Sequence, residues 1–255
     1  MPAVPPTRLK RLVLASVCAA SALALTACGP LGQAAEKSTP SAPSSPSGPY
    51  PGLSGSEILN KAITATKAAT SLRLRVTTET ADGPVRGDLS VDTKGDCAGT
   101  LQMGAEGGVE LVKTGDTVYM RFDEKMLRSQ ADGEEETQAA LDLLLGKWVR
   151  EKADAADAKD FAEFCDLDSY LEGFQANDTV AKRAGESTVG GTPTVVLTES
   201  HQGEKATAQV AAKGTPHLLR LQVTGGAEPI DMTFSEFDEP VPVKKPAAKD
   251  IVDLD

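Results

Sequence analysis

Few side chains in this sequence are equipped for covalent chemistry, and their spacing decides what they can do. The two histidines are His201 and His217. His201 lies in TESHQGEK, which reads as a hairpin turn, and His217 opens an apolar run after KGTP. Neither has cysteine or acidic companions at ligand spacing, so no zinc site is expected. A serine or cysteine nucleophile needs a base beside it. No GxSxG is present, and GLSGS at 52–56 reads as a helix start. There is no phosphate-binding loop and no GxGxxG between a strand and a helix. Asp132 with Glu134, Glu135 and Glu136 forms a charge run, the pattern of a solvated face. Asp166 and Asp168 flank Leu167 but lack the Asp/Asn and Gly positions of a calcium loop, leaving at most a weak surface cation site. Asp231, between Ile230 and Met232, reads as an outward residue of a strand. No catalytic residue, metal or cofactor is expected.

The remaining reactive groups are four cysteines. Cys28 has a particular setting. Arg8, Lys10 and Arg11 precede an apolar stretch at residues 12–24, which closes on Leu25-Thr26-Ala27-Cys28 with Gly29 next. A charged start followed by a short apolar run is the layout of a secretory signal. The run is too short for a comfortable membrane span, which takes about 20 apolar residues. The close resembles the bacterial lipobox: a Leu, two small residues, then Cys. That resemblance implies a diacylglyceryl group on the Cys28 sulfur and cleavage before it, with residues 1–27 as the signal peptide. Two acyl chains give stable anchoring, at roughly 0.8 kcal/mol per buried CH₂. The competing reading is an ordinary signal with an incidental Cys. The expected location is the outer face of the cytoplasmic membrane.

Residues 28–52 follow as the lipidated Cys and a Pro/Ser-rich tether with almost nothing to bury. Residues 53–255 remain, enough for one domain with a real core. The formal net charge is −11, and loss of residues 1–27 removes three basic and no acidic side chains. Such acidity argues against nucleic acid, which favours Lys/Arg patches, and against attraction to anionic headgroups. Cys18 leaves with the signal and Cys28 takes the lipid. Cys97 and Cys165 are left as an even pair in an oxidising compartment, and a disulfide is expected. A reactive or metal-binding pair would need a CxxC or a nearby His, and neither is present.

The elements that must position any site follow from periodicity. SEILNKAITATKAATS carries Ile58, Leu59, Ala62, Ile63, Ala65 and Ala69 as one helical stripe, with Ser54 or Ser56 as cap. The period then changes to two. Leu72, Leu74 and Val76 alternate with Arg73, Arg75 and Thr77, and VRGDLSV, AGTLQMG, GVELVKTG and DTVYMRF continue the alternation between turns. DEKMLRSQ and EETQAALDLLLGK read as helices, GKWVRE as a strand, and DAKDFAEFCDLDSYLEGF as one or two short helices carrying Cys165. Strands resume in TVAKRAGEST, TPTVVLTES, KATAQVAA, HLLRLQVTG and PIDMTFSEFDEP. A Pro/Lys/Asp-rich tail closes the chain. The expected class is α+β: one large curved antiparallel sheet, a half-barrel, with helices covering its concave face.

The mature domain resembles the actinobacterial lipoproteins of the LppX/LprAFG type and, more distantly, the LolA/LolB carriers. The residues that carry the resemblance are Cys28, ILNKAITATKAATSLRLRV, GDLSVDTKGDCAGTLQM, TVYMRFDEKML with GKWVRE, CDLDSYLEGF, and the ending from TPHLLRLQV to IDMTFSEFDEPVPVKKPAAKDIVDL. The resemblance implies a half-open barrel whose apolar cavity accepts an acylated lipid or glycolipid. The partners it implies are the membrane, through Cys28, and a lipid ligand, with the chain a monomer.

Under that reading the apolar strand residues Leu74, Val76, Leu89, Leu101, Met103, Leu111, Met120, Leu221 and Met232 are the tentative cavity lining. Alternation alone does not say which strand face looks into a cavity. For Trp148, ordinary packing under the helical insert is expected over a contact at the cavity mouth. Leu141, Leu143, Leu144 and Leu145 read either as core or as a lid. The alternative to a carrier is a non-enzymatic interaction or sensor lipoprotein with a closed core; an envelope hydrolase lacks any recognisable constellation.

Overall fold

A computed structural model describes residues 48–81, 83–175 and 180–253. Cys28 and the tether up to residue 47 lie outside the described residues. Helix α1 (Gly55–Lys67) leads five strands: β1 (Ser71–Thr80), β2 (Gly83–Asp92), β3 (Cys97–Met103), β4 (Gly107–Thr114) and β5 (Thr117–Phe122). The helical hairpin α2 (Glu124–Gln130) and α3 (Glu134–Leu144) follows, then β6 (Trp148–Lys152) and the short helices α4 (Lys159–Glu163) and α5 (Leu167–Glu172). The second half is strands: β7 (Lys182–Val189), β8 (Thr192–His201), β9 (Glu204–Ala211), β10 (Leu218–Thr224) and β11 (Ile230–Ser235). A 3₁₀ turn (Ala248–Asp250) and β12 (Ile251–Asp253) complete the chain.

All twelve strands form one sheet, in the order β12-β6-β5-β4-β3-β2-β1-β11-β10-β9-β8-β7. The sheet is open and curved, and the fold is the expected α+β half-barrel. Strands β2–β6 spread to one side of β1 and β7–β11 to the other, so β1 and β11 join the two meanders antiparallel. One part of the tail departs from expectation. β12 is a strand, and it pairs parallel to β6, with Ile251 opposite Trp148. A three-residue strand in a Pro/Lys-rich tail has no periodicity to reveal it.

The concave face is assembled by register. Leu197, Ala208, Leu221, Met232 and Val76 stand opposite one another from β8 to β1. The line continues through Gly87, Leu101, Val109 and Phe122 to β5. Gly87 leaves room there: a Cβ on it would lie 3.0 Å from the Val76 side chain and 3.3 Å from that of Leu101, which would have to shift by a few tenths of an ångström. The next line holds Phe234, Leu74, Leu89, Gly99, Leu111, Met120 and Val149. These rows form the main core with Ile58 and Ala62 of α1 and Leu167 and Leu171 of α5. Helix α1 is started by a capping box in which the Ser54 hydroxyl accepts from Glu57 N–H and the Glu57 carboxylate accepts from Ser54 N–H. It packs on β7, β9 and β10. Buried Thr66 fixes it there, its hydroxyl accepting the Leu218 N–H at 2.9 Å.

Candidate functional site

Among the described residues three helical pieces pack on the sheet, and they are fastened differently. Cys97, the first residue of β3, and Cys165, between α4 and α5, form the expected disulfide, with Cα atoms 5.4 Å apart. Both are buried. Phe161 meets Phe122 edge-on at 5.9 Å, and Phe174 meets Phe234 at 6.0 Å, so aromatic contacts seat both ends of this insert on the strands. Helix α2 is held by Asp123, which caps it by accepting from Met126 N–H. It lies so close to β4 that a Cβ on Gly107, at φ +115°, would sit 2.3 Å from Met126 N. Met126 and Leu127 are buried, but α3 has no buried residue and rests on α2. The leucine run is therefore not core: Leu143 and Leu145 are 52% and 48% exposed, and only Leu144 packs against the main cluster.

The nine residues expected to line a cavity share this concave face, at two depths. Leu74, Leu89, Leu101, Leu111 and Met120 are at most 3% exposed, packed beneath the helices, and Met232 is nearly as deep. Val76, Met103 and Leu221 are half-buried. They adjoin a further half-buried row that ends on Met103, of which Val223, Ile230, Thr78 and Val85 were missed as lining in the sequence reading. That row lies toward the end where β3 turns into β4 and α2 sits. Its polar member, Thr78, donates its hydroxyl to the Pro229 carbonyl. The concave face is thus largely apolar, deeply buried under the helices at its centre and half-buried toward the β3–β4 end, which we call the mouth.

The polar residues serve the convex face. Arg73 holds Asp88 through two bonds of 2.7 and 2.9 Å, and Arg75 adds a third at 2.9 Å. The Arg73 guanidinium holds the Asp88 carboxyl below the usual range, against partial burial. Asp231 is on this face as well and accepts from Arg220 and Gln222, the Arg220 bond depressing its carboxyl in turn. Asp166 caps α5, accepting from the Asp168 and Ser169 amides and the Ser169 hydroxyl. Among the described residues no group of three or more His, Cys, Asp or Glu is placed to hold a metal. His217 stacks on Phe237 with ring centres 3.9 Å apart, and burial pushes its pKa down.

Trp148 does not pack under the helical insert. It lies on the convex face with Val112 and Tyr119, beneath Val243 and Ile251 of the C-terminal segment, with the Arg121 guanidinium 4.8 Å from its ring centre. Because Val149 is opposite Met120 on the concave side, its neighbour Trp148 must face the other way. The sequence reading also missed a clamp at the start of the domain. The Arg183 guanidinium donates to the carbonyls of Pro49, Tyr50 and Leu53, and the Tyr50 hydroxyl donates to the Ala211 carbonyl. The last residues of the tether segment are therefore fixed along β7.

An open half-barrel with helices on an apolar concave face defines a class of architecture, and comparison with solved structures places the chain in it. LprF from Mycobacterium bovis superposes with a TM-score of 0.51 at 16% identity, over 76% of this chain and 97% of that one. The Mycobacterium tuberculosis lipoprotein LppX aligns over 74% of this chain and 98% of its own, at 19% identity and a TM-score of 0.47. The fold is that of LprF, and the resemblance read from the sequence holds at the level of fold. No family model matches the chain, and no curated protein matches it.

Proposed function

We propose that this chain is a membrane-anchored extracytoplasmic lipoprotein that binds or carries a hydrophobic molecule, a lipid or glycolipid, on its concave face. The observation that carries the reading is the largely apolar surface across nine strands, covered at its centre and half-buried at the mouth. The lipobox at Cys28 and the tether after it supply the anchor at the outer face of the cytoplasmic membrane, and the half-barrel shared with LprF is compatible with that role. Met103, with Val85 and Ile230, is the first an acyl chain would meet, then Val76 and Leu221, and Leu74, Leu89, Leu101, Leu111, Met120 and Met232 line the deeper path. Binding is by shape and burial, without a covalent step.

The second reading is a tethered interaction protein with a closed core. What favours it is the tight packing of Leu74, Leu89, Leu101, Leu111 and Met120, which the protein's own helices already cover. Native mass spectrometry of a fragment starting at residue 48, which keeps the Arg183 clamp, separates the two. The carrier reading expects a lipid mass retained through purification without detergent. An apo mass that persists after incubation with membrane lipids overturns it in favour of the closed core.

A further inference from the structure

Among the described residues, the large apolar side chains left exposed are Leu143, Leu145 and Val180, at 52%, 48% and 69%. They are far apart in sequence, yet strand register brings them to one end of the molecule. A single line of paired residues crosses the sheet from Lys182 on β7, through Thr198, Gln222 and Thr77, to Gly108 on β4. Val180 precedes Lys182 and so projects past that line on the side of the turns at 202–203 and 225–229. At the other end of the line, Asp123 donates its N–H to the Gly108 carbonyl and starts α2. Helix α2 then leans over the 104–106 turn: Ser129 donates to the Glu106 carbonyl and Lys125 to that of Gly104. Helix α3 packs on α2, and its end, Leu143 to Leu145, leads back to Trp148, which starts β6 two residues inside that line. Leu143, Leu145 and Val180 therefore lie toward the same end of the sheet as the mouth, Leu145 beside Thr100, Glu110 and Arg121 of the convex face.

We propose that the mouth rests on the lipid bilayer, with Leu143 and Leu145 on one side and Val180 on the other entering the boundary between headgroups and acyl chains. The inference rests on the anchored-lipoprotein reading above. What indicates a bilayer is the chain that precedes the fold. Residues 28–47 are Pro/Ser-rich, and a chain of that length spans at most about 70 Å. They arrive at Gly48, which sits against Glu186. Glu186 is four residues into β7, roughly 13 Å from its mouth end at about 3.3 Å per residue. The tether is thus long enough to let the mouth turn onto the membrane that holds Cys28. The acidic run Glu134, Glu135 and Glu136 begins α3, roughly 13 Å from Leu143 at about 1.5 Å per residue, clear of the contact. Because the anchored chain, without Arg8, Lys10 and Arg11, is more acidic than the −11 of the whole sequence, attraction to the surface comes from apolar contact, not from charge. A hydrophobic ligand then passes between bilayer and concave face without crossing water.

The test uses the full acylated chain in phosphatidylcholine vesicles containing lipids with brominated acyl chains, which quench tryptophan on contact. Trp148 is 8% exposed, beneath the C-terminal segment, and supplies an unquenched baseline. Leu143→Trp and Val180→Trp place reporters at the mouth end, and Lys213→Trp places one in the turn between β9 and β10 at the opposite end. Quenching of both mouth-end reporters several-fold above that of the Lys213→Trp chain, unchanged by added salt, is expected. Equal quenching at all three sites, or none at the mouth end of a chain that floats with the vesicles, overturns the inference and leaves the anchored reading standing. A chain that does not float overturns the anchored reading, and the inference with it.

Discussion

Replacing Cys97 and Cys165 together by alanine tests how the helical insert is held. Alanine is the right choice because both positions are buried, and serine would bury two hydroxyls in an apolar core. The bridge closes a loop with a sequence separation of 68 residues, containing β4–β6 and α2–α4. In the chain-entropy model a loop of that length restrains the unfolded state by about 4 kcal/mol. With a urea slope of about 2 kcal/mol/M, the unfolding midpoint should fall by about 2 M. Hydrogen exchange adds the location: α4 and α5 have few buried residues besides Ala158, Cys165, Leu167 and Leu171, so their amides should lose protection before those of β1 and β2. A midpoint shift below about 0.5 M at unchanged slope would refute the view that this bond, rather than apolar packing, fastens the insert.

The other expectations concern the two faces of the sheet. Leu111 is fully buried mid-sheet, so Leu111→Ala should cost about 2–5 kcal/mol in a chemical melt; a cost under about 1 kcal/mol would mean the concave face is already loosely filled. Deleting residues 240–255 should red-shift Trp148 emission while far-ultraviolet dichroism barely changes, because its cluster is separate from the main core; unshifted emission would contradict the placement of Trp148 under the tail. Stability should decline as pH falls. Burial depresses His217, so its contribution is complete above the unfolded value near 6.5 and fades as pH drops through the folded value. Depressed Asp88 and Asp231 contribute above about pH 4 and lose it on further acidification. His217→Gln should flatten the decline below about pH 6.5 and leave the lower one intact; an unchanged melting profile would exclude His217 as its source.

Much of the architecture is legible because the period of the apolar residues changes with the element. The stripe from Ile58 to Ala69 marks α1, and alternation in β1–β5 and β8–β11 marks the sheet. The helical middle shows itself where the alternation stops. Three features escape a linear reading. β12 is too short for a period. The Arg183 clamp joins residues some 130 positions apart through backbone carbonyls, which any sequence supplies. Trp148 falls on the other side of the sheet from the one expected, because in GKWVRE both Trp148 and Val149 are buried, one on each face of β6. Alternation names a face only when the other face is polar.

The sequence by itself determined the order of elements, the alternation that makes one face of the sheet apolar, the pairing of Cys97 with Cys165, and the lipobox expectation at Cys28. These rest on local periodicity and residue chemistry, which a linear reading contains. Only the tertiary structure decided that Leu74 and Leu111 are sealed while Val76, Met103 and Leu221 stay half-buried, and that Leu143 and Val180 lie toward the same end of the sheet. Identical alternating patterns produce both outcomes, and the difference comes from how far the helices reach across a curved sheet and which strands register opposite one another.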